Sequence, residues 1–280
     1  MKKKIKVLQV IPKLGYGGAE TGCYDLAHFL PEHGCKSYIV TSGGELLKYI
    51  DEKKVKVFKL NVQSKNPIFI ILNAILISIL ILIYNINIVH ARSRAPAWSC
   101  YLATKLTLRK FVTTFHGTYN FSFKLKKFYN SVMVRSDLVI AGSNFIFSHI
   151  NENYGNFFSK KKRKLMVIFR GINTNYYNSL KILPLKLDKF SKKNNIDRTK
   201  FIILMPGRLT SWKGQKIFIE AIKLLSEKND IAPFEAIILG SAQGRTVYQK
   251  QLIDLTQQYR LNNIIKFIDH PEEMPIAYGV

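Results

Sequence analysis

The sequence predicts an α/β protein with two doubly wound parallel sheets, the second of them incomplete. Short β-branched runs alternate with segments of helical period along most of the 280 residues. The runs are continuously apolar, which is typical of parallel strands covered by helices on both faces. With 47% hydrophobic residues, a chain of this length can bury a core in each of two domains.

The first domain is predicted to extend over residues 1–175 and to contain seven strands. These span residues 5–11, 38–41, 55–60, 86–91, 111–116, 138–141 and 165–169. Between the first two strands, Ala19, Cys23 and Leu26 recur at the helical period, so we expect a helix over residues 19–32. This helix would directly follow the first strand.

A long apolar run from Ile68 to Tyr84 lies at the lower length limit for crossing a bilayer. Its flanks, residues 56–60 and 86–91, are both predicted as strands of one sheet. Two strands of one sheet cannot lie on opposite sides of a membrane. We therefore expect a buried or membrane-touching helix, and a spanning helix is the less favoured alternative.

The second domain is predicted to begin at residue 200, after a linker over residues 176–199 in which the alternation is lost. Its strands are expected at residues 201–205, 236–239 and 264–268, and its helices at 215–227 and 247–261. A further helix begins where the given sequence ends. We therefore expect a partial domain with uncovered sheet edges and apolar helix faces.

The charge of the chain limits its partners. The sequence has 43 Lys and Arg against 18 Asp and Glu, a net charge of +25, which favours nucleic acid, nucleoside diphosphates or an anionic membrane. It carries no RNA- or DNA-binding signature, so nucleic acid is not expected. Its three cysteines lack C-x-x-C spacing, which favours buried thiols in a reducing cytoplasm over disulfides or a zinc site. The basic start, residues 1–4, precedes an apolar stretch too short for a secretion signal, so no export is expected.

A glycine loop, Pro12 to Glu20, joins the first strand to the predicted helix. Gly17 and Gly18 let backbone amides approach an anion closely, and the helix dipole favours negative charge. The loop lacks the third glycine and the downstream acidic residue of the dinucleotide fingerprint. A tight turn that binds nothing would have much the same sequence, so the loop alone leaves both interpretations open.

A basic loop, Pro206 to Gly214, lies between a strand and a helix of the second domain. Arg208 offers a planar fork of donors and Lys213 a point charge, and together they suit a diphosphate. A chain this basic also places arginine and lysine on loops by chance. The loop by itself therefore leaves its function open.

The basic loop and five other short segments, in this order along the chain, resemble the retaining GT-B glycosyltransferases, which include glycogen-synthase-like and lipopolysaccharide glycosyltransferases. The other five segments are Gly17-Gly18-Ala19-Glu20, Thr113-Thr114-Phe115-His116-Gly117, Ala141-Gly142-Ser143, Arg170-Gly171-Ile172-Asn173 and Leu239-Gly240-Ser241. The resemblance covers nearly the whole chain. Asn173 departs from it, because the family usually has aspartate there. The family's two glutamates spaced eight apart would follow Tyr278, beyond the given sequence, so a C-terminally truncated chain is expected.

The resemblance implies an enzyme of the GT-B fold, with two Rossmann-like domains facing a cleft. It would move a sugar from a nucleotide-diphosphate donor with retention of configuration. The donor is a co-substrate, and no metal or other cofactor is expected, since basic side chains take the place of a cation.

The site residues that the resemblance implies form three groups. They are His116, which contacts the transferred sugar; Gly17, Gly18, Arg208, Lys213, Gly214 and Gly240, which bind the donor diphosphate; and His90 and Arg92 on the acceptor side. Without the resemblance, a histidine after an apolar strand, such as His116, is more often a structural residue.

The acceptor is expected to be lipid-linked or a saccharide, as in the synthesis of lipopolysaccharide and other envelope glycans. The basic first domain and its apolar helix suit a cytoplasmic enzyme that docks peripherally on the anionic inner face of the cell membrane. The alternative, from a different class, is an inert truncated remnant that binds anions or a partner and transfers nothing.

Overall fold

The computed structural model describes residues 4–119, 123–159, 163–244 and 246–280, and residues 1–3 of the basic start lie outside it. The chain divides into two units, Met1–Gly171 and Ile172–Val280. Each unit is built around its own parallel sheet. The division lies close to residue 175, where the sequence predicts the end of the first domain.

The first unit contains one sheet of seven parallel strands. They are β1 (Lys6–Val10), β2 (Lys36–Thr41), β3 (Val55–Lys59), β4 (Ile88–Ala91), β5 (Lys110–Phe115), β6 (Leu138–Ala141) and β7 (Lys164–Val167). Their order across the sheet is β3, β2, β1, β4, β5, β6, β7. All seven predicted strands are confirmed, with ends within two residues of the prediction. The order reverses between β1 and β4, and open α/β sheets bind ligands at the carboxyl ends of strands at such a switch point.

Helices cover both faces of this sheet. They are α1 (Gly18–Glu32), α2 (Pro67–Tyr84), α3 (Arg94–Thr107), α4 (Lys124–Asn130), α5 (Asn144–Tyr154) and α6 (Asn156–Ser159). Successive residues of a strand point to opposite faces. In β2, Ile39 accordingly packs with Cys23 of α1, whereas Tyr38 and Val40 belong to the larger core under α2 and α3. Cys23 and Cys100 are free, buried thiols, as predicted, whereas the free thiol of Cys35 is only half-buried.

Helix α2 connects β3 to β4 and packs against α3. Ala74, Ile77 and Ile81 lie on its buried face. By length and composition, α2 is the one helix in the described part of the chain that could cross a membrane, and 22% of it is buried. The strands before and after it, β3 and β4, both belong to the seven-stranded sheet. This confirms the prediction that the two flanks of the apolar run are strands of one sheet.

The second unit contains a sheet of three parallel strands with helices on both faces. The strands are β8 (Phe201–Pro206), β9 (Phe234–Leu239) and β10 (Ile265–Ile268), in the order β10, β9, β8. The helices are α7 (Pro184–Lys193), α8 (Gln215–Ser226), α9 (Thr246–Gln258) and α10 (Met274–Tyr278). Ile219 of α8 and Leu252 of α9 pack on one face of the sheet. On its outer side, α8 leaves Ile217 and Leu224 exposed.

The segment predicted as a linker, residues 176–199, lies within the second unit and includes a helix. It contains α7, whose Phe190 packs with Ile196, Leu239 and Ala277 on the second face of the sheet. Lys186 of α7 also bonds Glu273 beside α10 at 2.7 Å. The helix was missed because its ten residues carry four lysines and few apolar side chains. The sequence of this helix is therefore hard to distinguish from that of a polar loop.

Candidate active site

Three of the predicted site segments meet at the carboxyl edge of the first sheet. The glycine loop follows β1, Arg92 follows β4, and His116 follows β5. The backbone N–H of Arg92 donates to the carbonyl oxygen of Val10 at 3.0 Å, which ties the end of β4 to that of β1. The predicted residues Gly17 and Arg92 thus lie at the topological switch point, and His116 lies at the end of the next strand.

The glycines at the start of α1 make room for charged side chains. Gly17 precedes the helix in an extended conformation, and no side chain caps the helix N-terminus. A Cβ at Gly17 would lie 2.1 Å from Oε2 of Glu20, and one at Gly18 would lie 2.7 Å from Nη1 of Arg170. Larger residues here would displace both charged groups from the first turn.

His116 is a neutral hydrogen-bonding group rather than a cation. Burial lowers the pKa of its imidazole to about 3, with smaller contributions from the positive charges of Arg92 and Arg170. Its Nε2 is buried and has no hydrogen-bond partner among the described residues. The imidazole can therefore donate or accept one hydrogen bond from a ligand at neutral pH.

His90 lies in the interior, and the structure does not place it on an accessible acceptor surface. Its side chain is 5% exposed, and its Nε2 is 2.7 Å from Oγ1 of Thr114 on the neighbouring strand. Burial, with Arg92 and His116 nearby, holds its pKa well below the usual range. Val89 and Ala91, its neighbours in β4, face the larger core, so His90 points to the opposite face of the sheet, and its acceptor-side role stays a prediction.

Arg170 is a residue of this edge for which the sequence predicts no role of its own. It follows β7 and reaches back to the first turn of α1, where its Nη2 lies 3.4 Å from Oγ1 of Thr21. In the sequence, Arg170 is a basic residue that follows the last strand of the sheet. Its contact with Thr21 could not be predicted from this position, because β7 is at the edge of the sheet, four strands away from β1.

The basic loop of the second unit lies at the carboxyl edge of its sheet. The N–H of Gly207 donates to the carbonyl oxygen of Leu239 at 2.8 Å, and Gln215 holds the carbonyl oxygen of Arg208 at 2.9 Å. Arg208 is half-buried and Lys213 is exposed. In the part of the chain that the structure describes, neither side chain forms an ion pair. Both cations remain available to a ligand next to the N-terminus of α8.

Two glycines of the predicted donor site shape this loop. Gly214 has φ 81° and ends the short 3₁₀ turn of Lys213 before α8 begins. Gly240 has φ 153°, and a Cβ there would lie 2.1 Å from the carbonyl oxygen of Gly207. Gly240 therefore allows the backbones of the two loops to pack together. This contact gives Gly240 a structural role, whatever it contributes to a ligand.

A metal site was not expected. Among the described residues, no group of three or more His, Cys, Asp or Glu side chains is placed to hold a metal ion.

Comparisons with known proteins identify the family. The sequence model of glycosyltransferase family 4 matches residues 16–176, and that of glycosyl transferases group 1 matches residues 187–279. Among proteins with curated descriptions, none matches the chain significantly.

Several solved structures match the chain over nearly its whole length. A glycosyltransferase from Rickettsia africae is 39% identical, with a TM-score of 0.82 over 99% of this chain and 71% of that one. HepE from Anabaena in complex with UDP-glucose is 20% identical, with a TM-score of 0.77 over 98% and 71% of the two chains. WaaG, a glycosyltransferase involved in lipopolysaccharide biosynthesis, is 11% identical, with a TM-score of 0.66 over 97% and 72%. HepE and WaaG are too distant in sequence to show more than the fold.

Two parallel α/β units, with a glycine loop in the first and a basic loop in the second, define a glycosyltransferase of the GT-B class. The chain belongs to glycosyltransferase family 4, with a group 1 domain as its second unit.

Proposed function

We propose that this enzyme transfers a sugar, with retention of configuration, from a nucleoside-diphosphate sugar to a lipid-linked or saccharide acceptor of the cell envelope. The observation that carries the proposal is the pair Arg208 and Lys213 at the end of β8, without acidic partners in the described chain and next to the N-terminus of α8. HepE, which shares the fold, is solved with UDP-glucose and with UDP and glucose. That relative supports a nucleotide-sugar donor.

The chemistry requires stabilisation of the departing diphosphate. As the glycosidic bond to the donor breaks, negative charge develops on the phosphate oxygens and positive charge at the anomeric carbon. Charge-assisted hydrogen bonds from Arg208 and Lys213 would contribute about 1.5–3 kcal/mol each. Neutral His116 is the candidate group for a hydrogen bond to the transferred sugar. In this proposal the cationic side chains make a divalent metal unnecessary.

The donor proposal is tested by titrating the full chain with UDP, in EDTA and in Mg²⁺, by isothermal calorimetry. We expect saturable binding in both buffers, since arginine, lysine and helix amides neutralise the diphosphate. Uridine is the matched control, because it lacks the phosphates and should bind far more weakly. UDP binding that requires Mg²⁺ would contradict the proposal that the donor binds without a divalent metal. Failure of UDP and of the other common nucleoside diphosphates would contradict the donor site itself.

The membrane part of the proposal is supported by α2 and its surroundings. Large apolar side chains on the outer face of α2 are exposed, including Ile71 at 56%, Ile75 at 50% and Ile83 at 69%. Residues 53–136 contain 14 Lys and Arg and no Asp or Glu. An apolar helix face in a basic region suits peripheral docking on anionic lipid, at the inner face of the cell membrane, where a lipid-linked acceptor would be presented.

We expect the double variant Ile71→Glu/Ile75→Glu to weaken binding to anionic vesicles by about tenfold or more, because two inserted apolar side chains are replaced by charges. Liposome flotation at low and high salt measures this, and salt should weaken binding of the unchanged chain. The matched control is Ile217→Glu/Leu224→Glu, which places the same charges on the exposed face of α8. Binding to neutral vesicles that survives high salt and carbonate would contradict peripheral docking and favour an integral helix.

A further inference from the structure

Trp212 is a large apolar side chain that the basic loop of the second unit holds in solvent. It lies in the 3₁₀ turn Ser211–Lys213 and is 71% exposed. The two residues before this turn, Leu209 and Thr210, are each only 2% exposed. Among the described residues, the indole of Trp212 has no ring or cation–π contact. Trp212 therefore contributes little to the packing of the second unit.

The backbone that carries Trp212 is held on both sides. Before it, the N–H of Leu209 donates to the carbonyl oxygen of Ser241 at 3.1 Å. After it, the buried side-chain amide of Gln215 donates to the carbonyl oxygen of Arg208 at 2.9 Å, which closes the loop. The exposure of the indole thus results from the fold of the loop. A ligand would meet a side chain that a rigid support already presents.

The other tryptophan of the chain, Trp98, shows what a structural indole has here. Its N–H donates to the carbonyl oxygen of Tyr129 at 3.1 Å. Its ring lies 5.6 Å from that of Phe128 and 5.7 Å from the guanidinium carbon of Arg135. Trp98 therefore has both an apolar contact and an acceptor for its N–H. In the described part of the chain, the N–H of Trp212 has no acceptor.

The position of Trp212 next to Lys213 indicates which part of a ligand it would meet. In the proposed donor complex, Lys213 contacts the diphosphate. The transferred sugar is bonded directly to that diphosphate, whereas the base is separated from it by the ribose. A sugar ring has an apolar C–H face and polar hydroxyl groups around its rim, and an indole has an apolar face and one N–H donor. The two surfaces are therefore complementary.

We propose that Trp212 is a platform on which a sugar ring stacks beside the donor diphosphate. The proposal rests on the proposed function, because it takes Arg208 and Lys213 as the diphosphate ligands. The ring belongs to the transferred sugar or to the acceptor, since both must lie at the anomeric carbon during transfer. In both cases Trp212 contacts a sugar and not the nucleotide. Its removal should therefore weaken the binding of sugars selectively.

The platform is tested on the full chain labelled with fluorotryptophan and followed by fluorine NMR. The chain has two tryptophans, so Trp212→Phe assigns both resonances. UDP-glucose, UDP-galactose, UDP-N-acetylglucosamine and the three free sugars are compared with UDP. We expect at least one sugar or UDP-sugar to shift the Trp212 resonance saturably and further than UDP does. The Trp98 resonance is the internal control and should not move. If no sugar or UDP-sugar exceeds the shift by UDP, the proposal is overturned.

A second titration distinguishes the two sugars. The free sugars are added beside a fluorinated analogue of the tightest-binding UDP-sugar that resists transfer, so that the donor sugar stays in place. A free sugar that shifts Trp212 beside this analogue assigns the platform to the acceptor. A shift by UDP-sugars alone assigns it to the transferred sugar. The free sugars are also titrated without nucleotide. Failure of UDP to bind would therefore contradict the proposed donor and still leave a direct test of Trp212.

Two variants test whether the contact matters for affinity. Trp212→Ala should weaken binding of the sugar or UDP-sugar that shifts Trp212 by about tenfold or more, because the apolar face is lost. Its affinity for UDP should stay within about twofold of that of the unchanged chain, since stacking adds nothing to UDP. Ile217→Ala is the matched control, because Ile217 on α8 is also 71% exposed, and it should change neither affinity. An equal loss for UDP and for the sugar ligand in Trp212→Ala would overturn the proposal, since it would show a disturbed loop.

Discussion

Replacement of Arg208 or Lys213 by alanine is expected to weaken UDP binding by about tenfold or more while leaving the fold intact. Each side chain lies at the carboxyl edge of the second sheet, without an ion-pair partner among the described residues, so its loss breaks no structural contact of that kind. Calorimetric titration with UDP measures the affinity, and circular dichroism checks the fold.

Two further variants sharpen this prediction. Lys250→Ala removes an exposed positive charge from α9 and should leave the UDP affinity nearly unchanged. Arg208→Lys keeps the charge but loses the planar fork, so its affinity should lie between those of the unchanged chain and Arg208→Ala. Equal affinity in Arg208→Ala, Lys213→Ala and Lys250→Ala would mean that the basic loop is only a surface turn.

Replacement of Gly240 by alanine is expected to destabilise the second unit by about 3 kcal/mol or more. The new Cβ would lie 2.1 Å from the carbonyl oxygen of Gly207, and φ 153° is a strained conformation for any residue with a side chain. Urea unfolding followed by amide hydrogen exchange in β8 and β9 measures the loss. Exchange in the first sheet should change little, since its core is separate.

Gly207→Ala is the matched control for this contact. A Cβ at Gly207 would meet Cδ of Lys213 at 4.0 Å, an ordinary van der Waals distance at the end of a flexible chain. It should therefore cost far less than Gly240→Ala. Similar stabilities of the two variants would show that the close approach of the two loops is not what requires glycine.

The alternation of strands and helices could be predicted from the sequence because these strands are buried on both faces. Continuous apolar runs such as Leu138–Ala141 identify a strand without any knowledge of the strands that pair with it. Helix α7 could not be found in this way. Its lysines face solvent. The apolar Phe190 is explained only by its packing against Ile196 and Leu239, which the sequence does not show.

The candidate site was predictable in part for a similar reason. Gly17, Arg92 and His116 each follow a strand, and parallel strands bring their carboxyl ends to one edge. The sequence pattern does not show in which direction a side chain at a strand end points. It therefore does not predict that His90 bonds Thr114 of the neighbouring strand. Arg170 was missed as a site residue because its reach to α1 depends on the length of the side chain and the twist of seven strands.

The pairing of α7 with α10 bears on the order in which the chain acquires its structure during synthesis. All seven strands of the first sheet have been made by Val167, so this unit can fold while the second is still being translated. In the second unit, α7 packs against α10, which is translated later, so the ion pair of Lys186 with Glu273 forms only after both segments have been made. Until α10 emerges from the ribosome, Ile237 and Leu239 lack part of their cover, and the nascent second unit exposes an apolar surface that chaperones recognise.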